Sequence, residues 1–492
     1  MSLKKNKNWE KSDPSVKKNY IYNLIYQVLT LLTPFITTPY ISRILGAEGT
    51  GVQSYTNSVV QYFAILAALG TASYGQREIA RHRDNKEERS RLFWEIELLC
   101  ALTTAACLVV WMGVIGFSRV YRPYYAVLTF TLAAVALDIS WFFGGLERYG
   151  LIVLRNLIIK AAGILMLFVF IKSREDLLLY VALIAATGFL GNLSMWGYLR
   201  HFLVKVDFKR LSIKRHFKET LVYFVPTIAT SVYTILDKTM LGWFTGDDKT
   251  QNGYYEYATG FVNMAKILIL SYNAVVSARM SYLFAEERME EIHRRAEESL
   301  SFVMLLAVPM AVGLAAISPG FVPWFLGPGY EPVIQLLYVC SPLVLVVGLS
   351  DCMGSLILTP SGQRAKSGKV IVAGSAVNFI LNLLAIPRFG AAGAAGASVA
   401  AEVFITCMYL YLCRGYIGPR LLAACSVKRL AAAAVMFAAV RMLGDVLAPG
   451  PLMTFGQVCA GAAVYFLLLF FAGDGFLRKS AAEFRRRLGR RA

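Results

Sequence analysis

Fourteen times along its 492 residues this chain runs through roughly twenty mainly apolar residues, the length a helix needs to cross the hydrocarbon of a bilayer. The runs fall near residues 19–42, 50–74, 92–117, 122–144, 149–171, 176–199, 219–244, 253–284, 299–317, 332–359, 369–386, 391–413, 429–445 and 452–473. Lipid offers the backbone no hydrogen-bond partners, so such segments satisfy their own N–H and C=O groups by coiling into helices. Composition agrees: 57% of the residues are hydrophobic and 16% charged, against about 45–50% and 25% in soluble domains. The expected fold class is an all-α polytopic membrane protein with about 14 transmembrane helices, and a soluble enzyme is excluded.

The breaks between runs set the orientation. Lys and Arg number 50 against 31 Asp and Glu, a formal charge of +19. Six of the basic residues lie in residues 1–18, six in 75–91 and seven in 200–218, against none in 318–331 or 446–451. By the positive-inside rule the breaks rich in Lys and Arg, and both termini, face the cytoplasm. The expected organisation is a cytoplasmic tail over 1–18, six helices over 19–199, an amphipathic cytoplasmic linker over 200–218, six helices over 219–413, two more over 414–473, and a basic tail over 474–492. The linker (RHFLVKVDFKRLSIKRHFK) and the tail from Arg478 to Arg491 suit anionic inner-leaflet lipid, which needs no nucleic-acid partner to explain them.

Signals for chemistry are weak. All eight cysteines lie in apolar runs without a Cys-x-x-Cys pair and read as small packing side chains. His82, His201, His216 and His293 fall in polar breaks without metal-ligand spacing. Gly362 to Lys369 (GQRAKSGK) puts five residues where a phosphate loop has four, and Val370 follows in place of Ser or Thr. The expectation is a protein without catalytic residues, metal or cofactor.

An internal repeat accompanies the second and eighth runs. GVQSYTNSVVQYFAILAALGTASYGQREIA from Gly51 matches GYYEYATGFVNMAKILILSYNAVVSARMSY from Gly253 without gaps at an offset of 202 residues. Gly51 falls on Gly253, Tyr55 on Tyr257, Val60 on Val262 and Arg77 on Arg279. Two six-helix units related by an axis along the membrane normal follow, because six is even and both units then share one orientation.

Ionisable side chains inside spans cost a few kcal/mol each and normally face a bundle interior or a wet cavity. The cations are Arg155, Lys160, Lys238, Lys266 and Arg441, with Arg43, Arg77 and Arg279 at helix ends. The anions are Asp138, Asp237, Glu256, Asp351 and Glu402. In the expected orientation Arg77, Arg155 and Arg279 lie toward the cytoplasm, Lys160 and Lys266 near the middle, and Lys238 and Arg43 toward the outside. Arg77, Arg155, Lys160, Lys238, Lys266 and Arg279 are therefore candidate cavity cations for an anionic headgroup, Arg clamping phosphate oxygens and Lys acting as a point charge. Mutual neutralisation is the competing reading, with Asp237 pairing Lys238 or Asp138 pairing Lys160. The five carboxylates are candidates for ion coupling or charge pairing.

Five stretches carry a family resemblance: PYISRILGAEGTG from Pro39, LGTASYGQREIA from Leu69, DISWFFGGLERYGLIVLRN from Asp138, DKTMLG from Asp237, and NFILNLLAIPRFGAAGAAGASVAAE from Asn378. The chain, from about residue 17 to 473, resembles polysaccharide-biosynthesis membrane proteins of the Wzx-type oligosaccharide flippases, in the multidrug/oligosaccharidyl-lipid/polysaccharide exporter superfamily. The resemblance implies two pseudo-symmetric six-helix lobes, here with two extra C-terminal helices. It also implies a cargo, an undecaprenyl-diphosphate-linked oligosaccharide moved from the inner to the outer leaflet of the bacterial cytoplasmic membrane by alternating access. Polysaccharide polymerase and glycosyltransferases are the implied partners. The related lipid II flippase carries several arginines early in its first two helices, whereas this chain has none before Arg43 and Arg77, which argues against lipid II as cargo. A cation-coupled multidrug exporter and a non-transporting scaffold for envelope or spore assembly stay open as alternatives.

Overall fold

The computed structural model describes residues 16–417, 419–446 and 448–478, with the side chains of 16–28, 31, 225–227, 229–234 and 419–426 left out. Residues 1–15 of the expected N-terminal tail and most of the basic C-terminal tail lie outside the described residues, and residues 16–18 already belong to the first helix. Within them the chain is helical, and nine helices are long and apolar enough to span a bilayer.

All fourteen expected spans fall on helices. The first two form one long helix, α1 (Val16–Ala68), broken at Gly46, whose φ of 71° and ψ of −179° let the chain turn without unwinding. Pro34 and Pro39 interrupt its hydrogen-bond ladder, and the Thr33 and Thr37 hydroxyls donate to Leu29 O (2.7 Å) and Thr33 O (3.1 Å) beside them. A second break at Leu69 and Gly70 starts the short α2 (Thr71–Arg81). Then come α3 (Lys86–Phe117), whose N-terminus is capped by Asn85, and α4 (Arg122–Ala133). A 3₁₀ turn over Ala134–Leu137 splits the fourth span, and Asp138 accepts from Ser140 N (3.0 Å) to start α5 (Ser140–Gly145). Helices α6 (Tyr149–Phe170) and α7 (Leu177–Leu199) are joined by a tight turn with a Ser173/Asp176 capping box.

Residues 200–213 differ from the expected amphipathic stretch. They run mostly without regular structure, apart from one turn at Phe208–Arg210, and are stapled to α3. Arg89 donates to Phe202 O, Val204 N to Ser90 Oγ (2.9 Å), Arg91 to Arg210 O (3.1 Å) and Ser212 N to Glu95 (2.7 Å). Basic and apolar residues alternate here because the apolar ones pack inward on α3, not because they form one face of a helix; Phe202 is buried with Phe93, Phe142 and Phe143.

The chain continues as α8 (Lys214–Phe244), α9 (Thr250–Ala285), α10 (Met289–Leu326), α11 (Glu331–Cys340) and α12 (Pro342–Met353), the last prolonged by a π-type turn over Gly354–Leu358. Helix α13 (Arg364–Leu412) holds the eleventh and twelfth spans and breaks at Gly390, with φ 54° and ψ −129°. A Cβ on Gly393 would lie 2.4 Å from Ala385 O, whereas Gly396 faces open space, so two of the three glycines in GAAGAAGA serve this break. Helices α14 (Pro419–Val446) and α15 (Pro451–Phe471) complete the described chain.

The chain divides into two compact units, one ending at Ile235 and one beginning at Leu236, inside α8. The N-terminal unit has an aromatic core of Tyr74, Phe93, Trp141, Phe142 and Phe143. In the C-terminal unit α10, α14 and α15 pack through Val308, Met436, Val440 and Tyr465. Large apolar side chains also face outward, up to Phe117 at 92% exposure, as lipid-facing residues do. Among the described cysteines Cys100, Cys340, Cys352 and Cys413 are buried and Cys107 half-buried, but Cys407 and Cys459 are exposed on outer helix faces and are not core side chains.

Candidate functional site

In the N-terminal unit the site is built on α6, where Arg155, Asn156 and Lys160 follow one another within about a turn and a half. Arg155 donates to Asn156 Oδ1 (2.7 Å) and to Asn192 Oδ1 on α7 (3.2 Å). Asn192 in turn donates to Ala134 O (2.8 Å), and Trp196 to Leu137 O (3.0 Å), so α7 satisfies the carbonyls that the split fourth span leaves open. Lys160 donates to Thr30 on α1 (3.1 Å) and faces a cavity of about 370 Å³ whose polar lining includes Thr33, Thr37, Asn156 and Thr187. A second cavity of about 530 Å³ meets the first at Ile184 and Gly188 and is lined by Asn57, Gln61, Thr71, Thr131, Asp138 and Asn192. The pair of hollows offers one ammonium, one carboxylate and a set of hydroxyl and amide groups.

The other expected cation of this unit stands apart. Arg77, on α2, is exposed and donates to the Tyr223 hydroxyl on α8. Asp138 caps α5 and lines the larger cavity, and Lys160 donates to Thr30.

The C-terminal unit treats its cations differently. Lys238 pairs with Glu256 across α8 and α9 at 2.6 Å. The Asp237–Lys238 pairing of the competing reading is replaced by one to the next helix, because adjacent residues on a helix point about 100° apart. Asp237 turns inward, 4% exposed, and accepts from Asn382 (2.6 Å), Tyr255 (2.7 Å) and Ser398. Lys266 lies in the electrostatic field of buried Glu402, and Asp351 accepts from Asn273 (2.8 Å). Arg279 is exposed, 3.7 Å from Glu291 and over the Tyr282 ring, while Arg441 sits half-buried on α14.

The repeat extends beyond the sequence match. Tyr55 packs edge-on against Tyr121 (5.4 Å between ring centres) and Tyr257 against Tyr330 (5.3 Å). Tyr121 and Tyr330 each precede the first residue of their unit's fourth span, with proline two residues on. Both fourth spans then distort near an aspartate, at Asp138 and Asp351. Val60 and Val262 are both buried, and Arg77 and Arg279 both exposed.

Several polar groups went unread in the sequence. Glu95 and Glu97 lie in the third expected span. Glu95 gathers Arg91 (3.0 Å), Arg215 (2.5 Å) and His216 (2.8 Å), and His216, expected in a polar break, is 2% exposed and bonded through Nδ1 to Tyr74 (2.7 Å). Burial pulls the His216 pKa down, against the opposing effect of Glu95. Lys249 folds back onto Gly242 O and Gly246 O at the end of α8. Arg429, fully buried at the start of the thirteenth span, pairs with Asp474 just after the fourteenth (3.1 Å). Acidic residues opening an apolar run, and a lone Asp closing one, were the available signals.

The sequence profile described as "Polysaccharide biosynthesis protein" matches residues 16–284, more than half of the chain and all of the N-terminal site. The chain belongs to this polysaccharide biosynthesis protein family. Relatives in the family's field include a putative O-antigen transporter of Escherichia coli K12, 21% identical over 405 residues, covering 81% of this chain and 97% of that protein. A putative O-antigen transporter of Shigella dysenteriae is 24% identical over 409 residues, covering 80% and 99%. Among solved structures, lipid II flippase MurJ in an inward closed conformation superposes with a TM-score of 0.70 at 15% identity over 93% of this chain and 99% of that one. That likeness establishes the fold. The protein is a multi-pass membrane protein whose family and fold are of the transporter and flippase type, not those of an enzyme.

Proposed function

We propose that this protein flips a lipid-linked oligosaccharide, specifically an undecaprenyl-diphosphate-linked repeat unit for surface polysaccharide, from the inner to the outer leaflet of a bacterial cytoplasmic membrane by alternating access. The observation that carries this reading is Lys160 on the wall of a polar cavity, with Arg155 a little over one turn away on the same helix. A diphosphate bearing a glycan is the part of such a cargo that hydrocarbon excludes, whereas the prenyl tail stays in lipid. Lys160 donates to Thr30 and Arg155 to two asparagines, bonds that an entering phosphate oxygen can replace with charge-assisted ones. A drug exporter for cations would instead favour carboxylates on that wall.

Arg77, Lys238, Lys266 and Arg279 are proposed as further contacts along the route. Asp237, ringed by hydroxyl and amide groups, is the proposed ion-coupling carboxylate, while Glu256, Asp351 and Glu402 act as structural partners. Both termini are proposed to face the cytoplasm, with anionic lipid against the basic segments and polymerase and glycosyltransferases as neighbours in the pathway. The test is complementation of glycan export. A bond to a charged group contributes about 1.5–3 kcal/mol, so Lys160→Gln should lower export about ten- to hundredfold. Unchanged export in Lys160→Gln and Arg155→Gln together sinks the reading.

A further inference from the structure

The larger hollow of the N-terminal unit has no part in the phosphate contact proposed above, and its chemistry differs from that of its neighbour. Among the described residues, the 370 Å³ cavity is lined by Lys160 and by no carboxylate, whereas the 530 Å³ cavity is lined by Asp138 and by no Lys, Arg or His. A phosphate is therefore drawn to the first and repelled from the second. Four polar side chains of the second have bonding capacity left over. The side chains of Asn57, Gln61 and Thr131 make no hydrogen bond to a described protein group, and of the two Asp138 oxygens only Oδ1 accepts, from Ser140 N (3.0 Å). All four residues are half-buried inside expected spans, where lipid supplies no partners. Asn57 and Gln61 stand on one face of α1, about 6 Å apart along its axis. An amide both donates and accepts, as a hydroxyl does, so these groups match a ligand covered in hydroxyls; a cation would use only their acceptors. The two hollows meet at Ile184 and Gly188 on α7. Gly188 lies in a helix interior, where glycine is less stable than alanine, and no close contact calls for it, since a Cβ there would meet nothing within 4 Å. Its effect is to leave the neck between the hollows open.

We propose that the 530 Å³ cavity is a sugar subsite, which takes the first sugar of the lipid-linked cargo while the diphosphate lies at Lys160 and the bond joining them passes Gly188. This deepens the cargo reading above and rests on it. In such a cargo the first sugar is bonded directly to the diphosphate, so its site must adjoin the phosphate site, as this hollow does. Sugar hydroxyls replace solvent on Asn57, Gln61 and Thr131, and Asp138 accepts a charge-assisted bond through its second oxygen. Selectivity among cargoes follows, because a sugar that fails to reach one of these groups loses that bond and leaves the group without a partner.

The test is equilibrium binding to the purified full-length protein of a short-chain prenyl diphosphate, bare or carrying one hexose or one N-acetylhexosamine. At least one sugar-bearing probe should bind about tenfold more tightly than the bare one. Asn57→Leu and Gln61→Leu should each lower that ratio, and together bring it close to one. Gly188→Leu, which fills the neck, should abolish the gain, whereas Gly188→Ala should keep most of it. Lys160→Gln should weaken the binding of both kinds of probe together. A ratio of one in the wild type, or a gain that survives both the double variant and Gly188→Leu, overturns the subsite. A lipophilic cation held through Asp138, with no gain from either sugar, also overturns it and gives the hollow to a different ligand. Failure of the bare probe to bind contradicts the cargo reading, and the subsite falls with it; a bare probe that binds without any gain from sugar sinks the subsite alone.

Discussion

The two units carry matching breaks and matching tyrosine contacts, but they hold their half-buried cations in different ways. In the N-terminal unit Arg155 and Lys160 bond to amide and hydroxyl oxygens beside a polar hollow. In the C-terminal unit Lys238 is paired with Glu256 and Lys266 lies in the electrostatic field of Glu402. A threonine or asparagine can be displaced by a phosphate without stranding a charge, whereas displacing a glutamate leaves an anion next to an anion. This difference supports the proposal that the N-terminal unit makes the first contact with an anion and that the cations of the C-terminal unit are weaker contacts further along the route. The ends of the units differ in the same sense. Glu95 gathers three partners, of which Arg91 and Arg215 are nearly half exposed, whereas Arg429 and Asp474 form a single buried pair.

Arg429→Ala should produce the largest effect on stability, about 3–5 kcal/mol, because it strands buried Asp474. Thermal unfolding in detergent reads this, and Glu95→Gln, whose arginines can return to water, should cost less. Equal losses would erase the contrast between the two ends. Next comes the loss of export in Lys160→Gln, about ten- to hundredfold, against a smaller loss in Lys238→Gln, whose charge is already matched; the reverse order would exchange the roles of the units.

Smaller still is the Lys238–Glu256 pair, about a third exposed and therefore discounted for screening to about 1 kcal/mol or less. Glu256→Gln should show this loss, and the double variant Lys238→Gln/Glu256→Gln should recover most of it in a thermal-stability cycle. Absence of coupling would remove the pair from the account. The smallest effect is with pH. Burial raises the Asp474 pKa, but its bonds from Arg429 and Leu477 N outweigh this and set it below the usual aspartate value. Its contribution is thus complete above the ordinary aspartate pKa of about 3.9 and fades as pH falls toward the lower folded value. Acid unfolding of Asp474→Asn should lack that component; an identical acid limb in both proteins would contradict it.

Span placement was legible in the sequence because twenty apolar residues have one solution in lipid, and every run from 19–42 to 452–473 lies on a helix. The register of Tyr55 with Tyr257 was legible too, but their partners Tyr121 and Tyr330 were not, since they sit at differently spaced breaks. Side-chain pairing was the least legible. Lys238 reaches Glu256 on the next helix, not its neighbour Asp237, because the direction of a side chain depends on helix phase and packing. Glu97 escaped notice because it opens an apolar run, where acids usually face the surface; here α3 is covered by the split fourth span.

The most direct measurement of the central claim is equilibrium binding of a short-chain, water-soluble prenyl diphosphate to the purified full-length protein. The account requires saturable binding that weakens about ten- to hundredfold in Lys160→Gln and changes less in Lys238→Gln. Equal affinity in the wild type and Lys160→Gln would contradict it.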